Sequence, residues 1–588
     1  MSILIKTVRI AGFRGLEDIE VELDQVTVLT GMNNTGKTSF LKALQVVFGN
    51  RQFISQDDFF IQENRGSKTI VIDICIVPIG EAGNQVDDFS NEWEQVLTTD
   101  RIRSNGEQSV VPLRTVITFD AVSTSFNTQQ FILPIWGAYL TDNNPWFTRD
   151  NGKKTTFYFE EIPFFYMDAQ RDILEDTKLR NSYLGKMLSK IEYSDELTQE
   201  IEEKIKRLNE EAVKESNILL GIKTALKGLD STMDTHSEGI EITPFTKKIR
   251  DLSKGLTIYY GDVKDSFSME YHGMGTRSWA SLLTLKAFIS LLKNTAPSTK
   301  TLSPILAVEE PESHLHPNAQ KKLYRQISDI PGQKIISTHS PYIAATAELS
   351  QIRNFYKSGK VSCGKIDTAT MSSEDIRKIT RQVTNSRGEM FFSKAIVFFE
   401  GETEEQALPI FARKYFGKHA IEIGVDFVGV GGHKGYLPFL RFAESLNIPW
   451  LIFSDAEDAT VQSVNKQIIA CNPDKIDRVL FVDTGNDFER QLISDGYQNE
   501  IKQAILDCDE YTNDQHRAEG EPAKIAKINA LADDALYLEI TKNGSKTKYA
   551  SAIANQIILS EKPLPPKISR LFGKIDSFLN IKEKELLA

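Results

Sequence analysis

The sequence predicts an α/β protein whose second unit is a separate parallel-sheet domain, on three observations. Near the N-terminus a strand, a glycine-rich loop and a helix follow one another in "VTVLTGMNNTGKTSFLKAL". From residue 393 a fresh alternation of short apolar runs and helical stretches begins, the pattern of a parallel sheet. Between residues 173 and 255 the texture changes to Glu, Lys, Leu and Ile at helical spacing, which marks an inserted helical segment. The expected division is residues 1–172 and 256–355 for the first unit, 173–255 for the insertion, 356–392 for a linker and 393–588 for the second unit.

Bulk properties narrow the class. A chain of 588 residues with 40% hydrophobic residues can bury several cores. Cys75, Cys363, Cys471 and Cys508 lie far apart and form no CxxC pair, which argues against a disulfide framework or structural zinc and fits a reducing cytoplasm. The start "MSILIKTVRIAGF" lacks the shape of a signal peptide, and no apolar run approaches the ~20 residues that span a bilayer. We expect a cytoplasmic chain with no membrane partner. A net charge of −12 argues against wholesale coating of nucleic acid but leaves room for a local basic channel.

The elements follow in order. "ILIKTVRIAGF", "VTVLTG", "TIVIDICIVPI", "SVVPLRTVITF" and "TTFYFEEIPFFYMDA" read as strands rich in Val, Ile, Thr and Phe, interrupted by the helix "TSFLKALQVVFG". In the insertion, Leu197, Ile201, Ile205 and Leu208 make one apolar stripe, with Ser194 as N-cap. That stripe packs either on its own domain or on a second copy as an antiparallel arm. Arg377, Lys378, Arg381, Arg387 and Lys394 either guide a phosphate backbone or decorate a solvated linker. "KAIVFFE", "IEIGVDFVGV", "IPWLIFSD" and "RVLFVD" are the strands of the second unit.

The first unit carries phosphate chemistry. Gly31-x-x-x-x-Gly36-Lys37-Thr38 stands between strand and helix, the context a phosphate-cradling loop needs. The glycines let the backbone wrap the anion, and amides at the helix N-terminus point at it. Lys37 supplies charge for the β- and γ-phosphates, Thr38 can ligate magnesium, and Asn34 and Ser39 complete the loop. In "SPILAVEEPESHLHP", Glu309 and Glu310 end a buried strand, one to hold the magnesium shell and the other to orient the attacking water. "KIISTHSP" brings His339 to the tip of a neighbouring strand as a γ-phosphate sensor.

The second unit ends three strands in acid. Glu400 closes the first, with Glu404 four residues on; Asp455, Glu457 and Asp458 follow the second; Asp483 ends the third, with Asp487 and Glu489 near the next helix start. In a parallel sheet these ends share one edge, where α/β proteins bind ligands. Clustered carboxylates are costly, and divalent cations remove the cost. All-oxygen donors favour magnesium or manganese, with calcium a further fit, over zinc. Taken one at a time, such acids also serve as helix N-terminal charges. Lys546 and Lys548, with Lys542 behind them, precede a small-residue helix and are placed to neutralise a phosphate or a leaving oxygen.

The first set of motifs resembles the ATP-binding-cassette (ABC) ATPases of the RecF and SMC-like branch. That resemblance implies ATP as cofactor and a signature loop at "YHGMGTRSWASLLTLKAF", where Gly273, Gly275 and Arg277 take the small-residue positions although Ser-Gly-Gly-Gln is not intact. It also draws in Arg171 of "YMDAQRD" and Gln56. The second set resembles a Toprim domain, with "EGETE" as first acidic motif, Asp455-x-Glu457 in place of Asp-x-Asp, and Glu489 as third acid. An ABC-type head with a dimerising helical insertion followed by a Toprim domain resembles the OLD (overcoming lysogenization defect) nucleases. The resemblance implies metal-dependent cleavage or nicking of DNA, anti-phage defence, and homodimers or larger assemblies. It further implies action alone, beside a UvrD-like helicase, or beside a retron reverse transcriptase with its small DNA. An ATP-driven sensor with an inactive Toprim domain is the alternative, favoured by Glu457; a primase or topoisomerase ranks last, since no accompanying zinc module is recognisable.

Overall fold

The computed structural model describes residues 2–49, 54–62, 65–66, 69–81, 83–120, 125–139, 145–178, 194–220, 259–260, 267–295, 301–386, 388–508, 514–542 and 546–580. The N-terminal part, here called the head, holds two sheets. One is a seven-stranded antiparallel sheet that includes Ser2–Phe13, Leu16–Glu22, Thr69–Ile79, Gln108–Asp120 and Ser125–Ile132. The other has six strands in the spatial order Phe164–Met167, Ile305–Glu309, Gln333–Ser337, Val26–Gly31, Ile352–Ser358 and Lys360–Lys365. All its neighbours are parallel except the last pair. The strands Val26–Gly31, Ile305–Glu309 and Gln333–Ser337 are buried along their whole length, as a sheet covered on both faces requires.

The sheet runs past the expected boundary at residue 355. The stretch read as a linker supplies the end of strand Ile352–Ser358, all of Lys360–Lys365, and the helix Ser373–Asn385. Its polar sequence misled because Lys360–Lys365 is an edge strand, where only Val361 and Gly364 are buried. The helix has its own capping box, Ser372 with Asp375.

The C-terminal domain centres on four parallel strands in the order Val425–Gly429, Ala395–Phe399, Trp450–Ser454 and Val479–Phe481. Alternation along Ala395–Phe399 decides what each face meets. Ile396 and Phe398 join the core that also contains Val28, Ile336 and Ile352 of the head, through Ile379, Met390 and Phe391. Ala395, Val397 and Phe399 turn to a second core built with Phe411, Leu451, Phe453, Ile553 and Phe572. Each fully buried large side chain contributes about 1.5–3 kcal/mol, so the head and the C-terminal domain are held by a continuous apolar layer.

Of the insertion, residues 173–178 and 194–220 are described, with helices Ile173–Lys178 and Asp195–Glu215; the rest of 173–255 lies outside the described residues. Ser194 accepts the Leu197 amide, as an N-cap should. Of the expected stripe only Ile205 is buried, while Leu197 and Leu208 are 41% and 54% exposed.

Candidate functional site

The nucleotide loop is shaped by close approach. Gly31 has φ 129° and its amide lies so near the strand Ile352–Ser358 that a Cβ there would sit 2.1 Å from the Phe355 carbonyl oxygen. Gly36 (φ 96°) caps the helix Lys37–Val47. Asn34 is exposed at the tip in the left-handed region, and Ser39 is half-buried. Lys37 is buried, and its Nζ donates to Gly31 O at 2.7 Å and Met32 O at 2.9 Å. Burial pushes its ammonium down to about 8, against the pull of Glu310, Glu312 and Glu309. A cation so desolvated gains from any anion placed in the loop.

The acids behind the loop are positioned as the spacing requires. The buried Glu309 carboxylate accepts hydrogen bonds from the hydroxyls of Thr38 and Tyr166. Thr38 and Glu309 are therefore already together, as a shared magnesium ion would need. Glu310 (φ 41°) reaches His339, its Oε1 3.8 Å from Nε2. Burial and the charge of Lys37 hold the imidazole below its ordinary value, against the pull of Glu310 and Glu309. Glu312, unnoticed in the sequence, accepts from the His339 amide at 2.7 Å, the Ser340 amide at 3.0 Å and the Thr338 hydroxyl at 2.8 Å, and so fixes the sensor loop.

Gly275 begins the helix Met274–Thr295 under the His314 carbonyl, where a Cβ would approach to 2.3 Å, whereas Gly273 is open. Arg277 is paired with Asp172. Arg171 clamps backbone, donating to Pro311 O at 2.6 Å. Gln56 is exposed in a short 3-10 turn.

The second site lies at the carboxyl edge of the C-terminal sheet. Glu400 follows strand Ala395–Phe399, and Gly401 caps the helix Glu402–Phe416, whose first turn carries Glu402, Glu404 and Glu405. The helix dipole offsets part of that charge, about 0.3–1 kcal/mol per residue. It does not explain why Glu404 and Glu489 are both buried, at 4% exposure. Glu400 Oε1 accepts from Ser454 Oγ at 2.7 Å, which ties the ends of two adjacent strands together.

Asp455 sits at the centre. Burial pushes its carboxyl up to about 8, reinforced by the charges of Glu404, Glu400, Asp487 and Glu489. Its Oδ1 is buried without a hydrogen-bond partner. Asp487 caps the helix Phe488–Ser494 and accepts from the Tyr537 hydroxyl at 2.7 Å. Glu457 caps the helix Asp458–Cys471; it and Asp458 are exposed and stand apart from the acids that bear most on Asp455. Asp483 is exposed and paired with Lys567.

Basic groups flank this edge. The helix Lys546–Leu559 packs on Glu402–Phe416, and Ala550 lines one small cavity with Thr403 and Glu489. Lys548 is exposed on its first turn; the Lys546 side chain lies outside the described residues. Lys542 pairs with Glu539 at 2.6 Å. Burial and the neighbouring Lys548, Lys527 and Lys542 lower the Lys524 ammonium, so four lysines share one neighbourhood. Arg377 is tied to Glu374, and Arg387 lies outside the described residues.

The acids converge without closing on one point: among the described residues, no group of three His, Cys, Asp or Glu side chains could hold a metal ion as it stands. The chemistry of the set nevertheless fits a divalent cation. Its donors are all carboxylates, one buried oxygen is orphaned, and burial, reinforced by the neighbouring acids, pushes the Asp455 carboxyl up to about 8.

Two family descriptions match this architecture. An AAA ATPase domain matches residues 4–344, more than half of the chain, and the overcoming lysogenization defect protein-like TOPRIM domain matches residues 391–456. The chain belongs to the OLD family of AAA ATPase–Toprim proteins. This OLD-family chain is 28% identical to the uncharacterized protein YbjD of Escherichia coli (strain K12) over 188 residues, 32% of this chain and about a third (34%) of that relative's length. It is 23% identical to the OLD nuclease of Thermus scotoductus (strain ATCC 700910 / SA-01) over 478 residues, 77% of this chain and 82% of that one. It is 22% identical to the endonuclease GajA of Bacillus cereus (strain VD045) over 416 residues, 68% and 66% of the two chains. The OLD-family head carries the nucleotide loop, and the Toprim match covers Glu400, Glu404 and Asp455.

Proposed function

We propose that the chain is an ATP-binding, divalent-metal-dependent DNA endonuclease or nickase that serves in the cytoplasm as an effector of bacterial anti-phage defence. The observation that carries the reading is Asp455. It is a half-buried carboxyl with an orphaned oxygen, pushed up to about 8 by burial and by Glu404, Glu400, Asp487 and Glu489, at a parallel sheet's carboxyl edge. The nuclease names of its relatives point the same way.

In this reading Glu400, Glu404, Asp455 and Glu489 hold the cation, joined by Asp487. A bound magnesium or manganese ion supplies an activated water and a counter-charge for the leaving oxygen. Ser454 orients Glu400. Asp455 gives up its proton as the site loads, so loading is favoured by rising pH. Lys548, with Lys524, Lys527 and Lys542 beside it, draws in the phosphate backbone. In the head, Lys37 leaves the carbonyls of Gly31 and Met32 for the phosphates, Thr38 and Glu309 share the magnesium, Glu310 orients water, and His339 senses the γ-phosphate. Gly273 and Gly275 present the signature helix to a second copy. The exposed Leu197 and Leu208 of the insertion fit a homodimer or larger assembly. A UvrD-like helicase, or a retron reverse transcriptase with its small DNA, is the corresponding partner.

A second reading, an ATP-driven sensor with an inactive Toprim domain, draws on the exposure of Glu457, where the motif departs from Asp-x-Asp. Supercoiled plasmid incubated with the chain and Mg2+ or Mn2+ separates the two. The nuclease reading expects nicked or linear product that Glu400→Gln abolishes while the fold survives. No cutting under any metal, nucleotide or partner condition leaves the sensor.

A further inference from the structure

One carboxylate beside the nucleotide loop has no part in the proposed chemistry. Glu312 lies just past Glu310, in the turn between strand Ile305–Glu309 and helix Pro317–Ser328. Glu310 (φ 41°) and His314 (φ 67°), neither of them glycine, bracket it in the left-handed region. Such backbone is costly and persists only where its surroundings hold it. Arg171 does so here, donating to Pro311 O at 2.6 Å, and the Glu310 amide donates to Ser337 O at 2.8 Å.

The side chain reaches across to the next strand. Its Oε1 accepts three hydrogen bonds, all from the segment that follows strand Gln333–Ser337: the Thr338 hydroxyl at 2.8 Å, the His339 amide at 2.7 Å and the Ser340 amide at 3.0 Å. Successive amides aimed at one oxygen make an anion-binding nest, and Glu312 supplies the anion. The flanks of the segment are anchored as well. Thr338 and Ser340 are buried. The Thr338 amide donates to Leu29 O at 3.1 Å, in the strand that leads into the nucleotide loop, and the Ser340 hydroxyl donates to Gln320 Oε1 at 2.6 Å. Between them His339 is half-buried, and its imidazole turns toward Glu310, Nε2 standing 3.8 Å from Oε1.

We propose that Glu312 is the positioning residue of the γ-phosphate sensor: by gathering Thr338, His339 and Ser340 on one oxygen it fixes where the His339 imidazole stands, and so gives the head its preference for ATP over ADP. The inference rests on the reading of His339 as that sensor. Glu312 touches no nucleotide in this account and acts through the backbone of the residue that does. Glutamine keeps an acceptor of the same reach and drops the charge, whereas alanine drops both. The two variants therefore separate geometry from the pull that the carboxylate exerts on Lys37.

The test measures the affinities of the fluorescent analogues mant-ATP and mant-ADP for the full chain with Mg2+ and takes their ratio, in which any change common to both nucleotides cancels. Glu312→Ala should lower the ATP-over-ADP ratio about tenfold, the effect of losing one hydrogen bond to a charged group, while mant-ADP still binds. Glu312→Asp keeps the charge but draws the oxygen back by one methylene, and should lower the ratio too. Glu312→Gln should keep the wild-type ratio. His339→Ala should lose as much as Glu312→Ala, and the two changes together should lose no more than His339→Ala alone. A wild-type ratio in Glu312→Ala or Glu312→Asp, a Gln variant that falls with the Ala one, or additive losses in the pair overturns the proposal while the sensor stands. If the wild type and His339→Ala show the same ratio, the sensor reading falls and this inference falls with it.

Discussion

Replacing Asp455 by Asn should stabilise the metal-free protein at neutral pH. The Asp455 carboxyl is raised from 3.8 to about 8 by burial and then by Glu404, Glu400, Asp487 and Glu489. For an acid raised by folding, the unfolded chain releases its proton first. The penalty is therefore absent below about pH 4, grows as pH rises through neutrality, and is complete above about pH 8. Each pKa unit corresponds to about 1.36 kcal/mol, so the face-value cost at pH 7 is about 4 kcal/mol. Water and neighbouring dipoles relax such sites, which reduces the expectation to about 2 kcal/mol. Asn keeps the volume and removes the charge. Thermal melting in EDTA should give coincident curves for wild type and Asp455→Asn near pH 4 and a variant that melts several degrees higher at pH 8. Mn2+ should raise the melting temperature of the wild type and leave that of the variant unchanged. A variant less stable than wild type at pH 8, or two pH profiles that run parallel, refutes the reasoning.

The other predictions concern the head and the basic cluster. Gly31→Ala forces a Cβ to 2.1 Å from Phe355 O at φ 129° and should destabilise the chain by about 2–4 kcal/mol in chemical denaturation. Lys37→Ala should lose about 10–100-fold in affinity for a fluorescent ATP analogue, the effect of removing one charged hydrogen-bond donor, with the circular dichroism spectrum preserved. Converting both Lys524 and Lys548 to Ala should lower the slope of log affinity for duplex DNA against log salt by about 2; an unchanged slope removes the cluster from the DNA path. Asp73→Ala strips the partner from the buried Arg114, bound through two bonds of 2.8 Å, and should cost about 3–5 kcal/mol.

Much of this was legible in the residues for stated reasons. The loop from Gly31 to Thr38 is a local motif whose spacing is dictated by phosphate geometry, so it reads without structure. Glu400 and Asp455 were found because parallel strands place their carboxyl ends together, and apolar runs ending in acid reveal those ends. Asp487 was harder, because an acid that caps a helix and one placed toward a site look alike in sequence, and this one caps a helix while its charge bears on Asp455. Glu457 and Asp458 show the converse: they carry the motif's letters but sit on the solvent side of a helix start. Tyr166 and Ser454 had no signal, since each acts through a single hydroxyl across elements distant in the chain. Arg171 matched a recurring motif, yet its bonds are to backbone carbonyls, which no side-chain pattern records. The strand Lys360–Lys365 was hidden because an edge strand need not be apolar.

The central claim is that the acids of three strand ends serve one cation site. Crystals soaked in Mn2+ and measured at the manganese absorption edge test it directly. The account predicts an anomalous peak bonded to oxygens of both Glu400 and Asp455. Manganese found only elsewhere, with those two carboxylates left unligated, contradicts it.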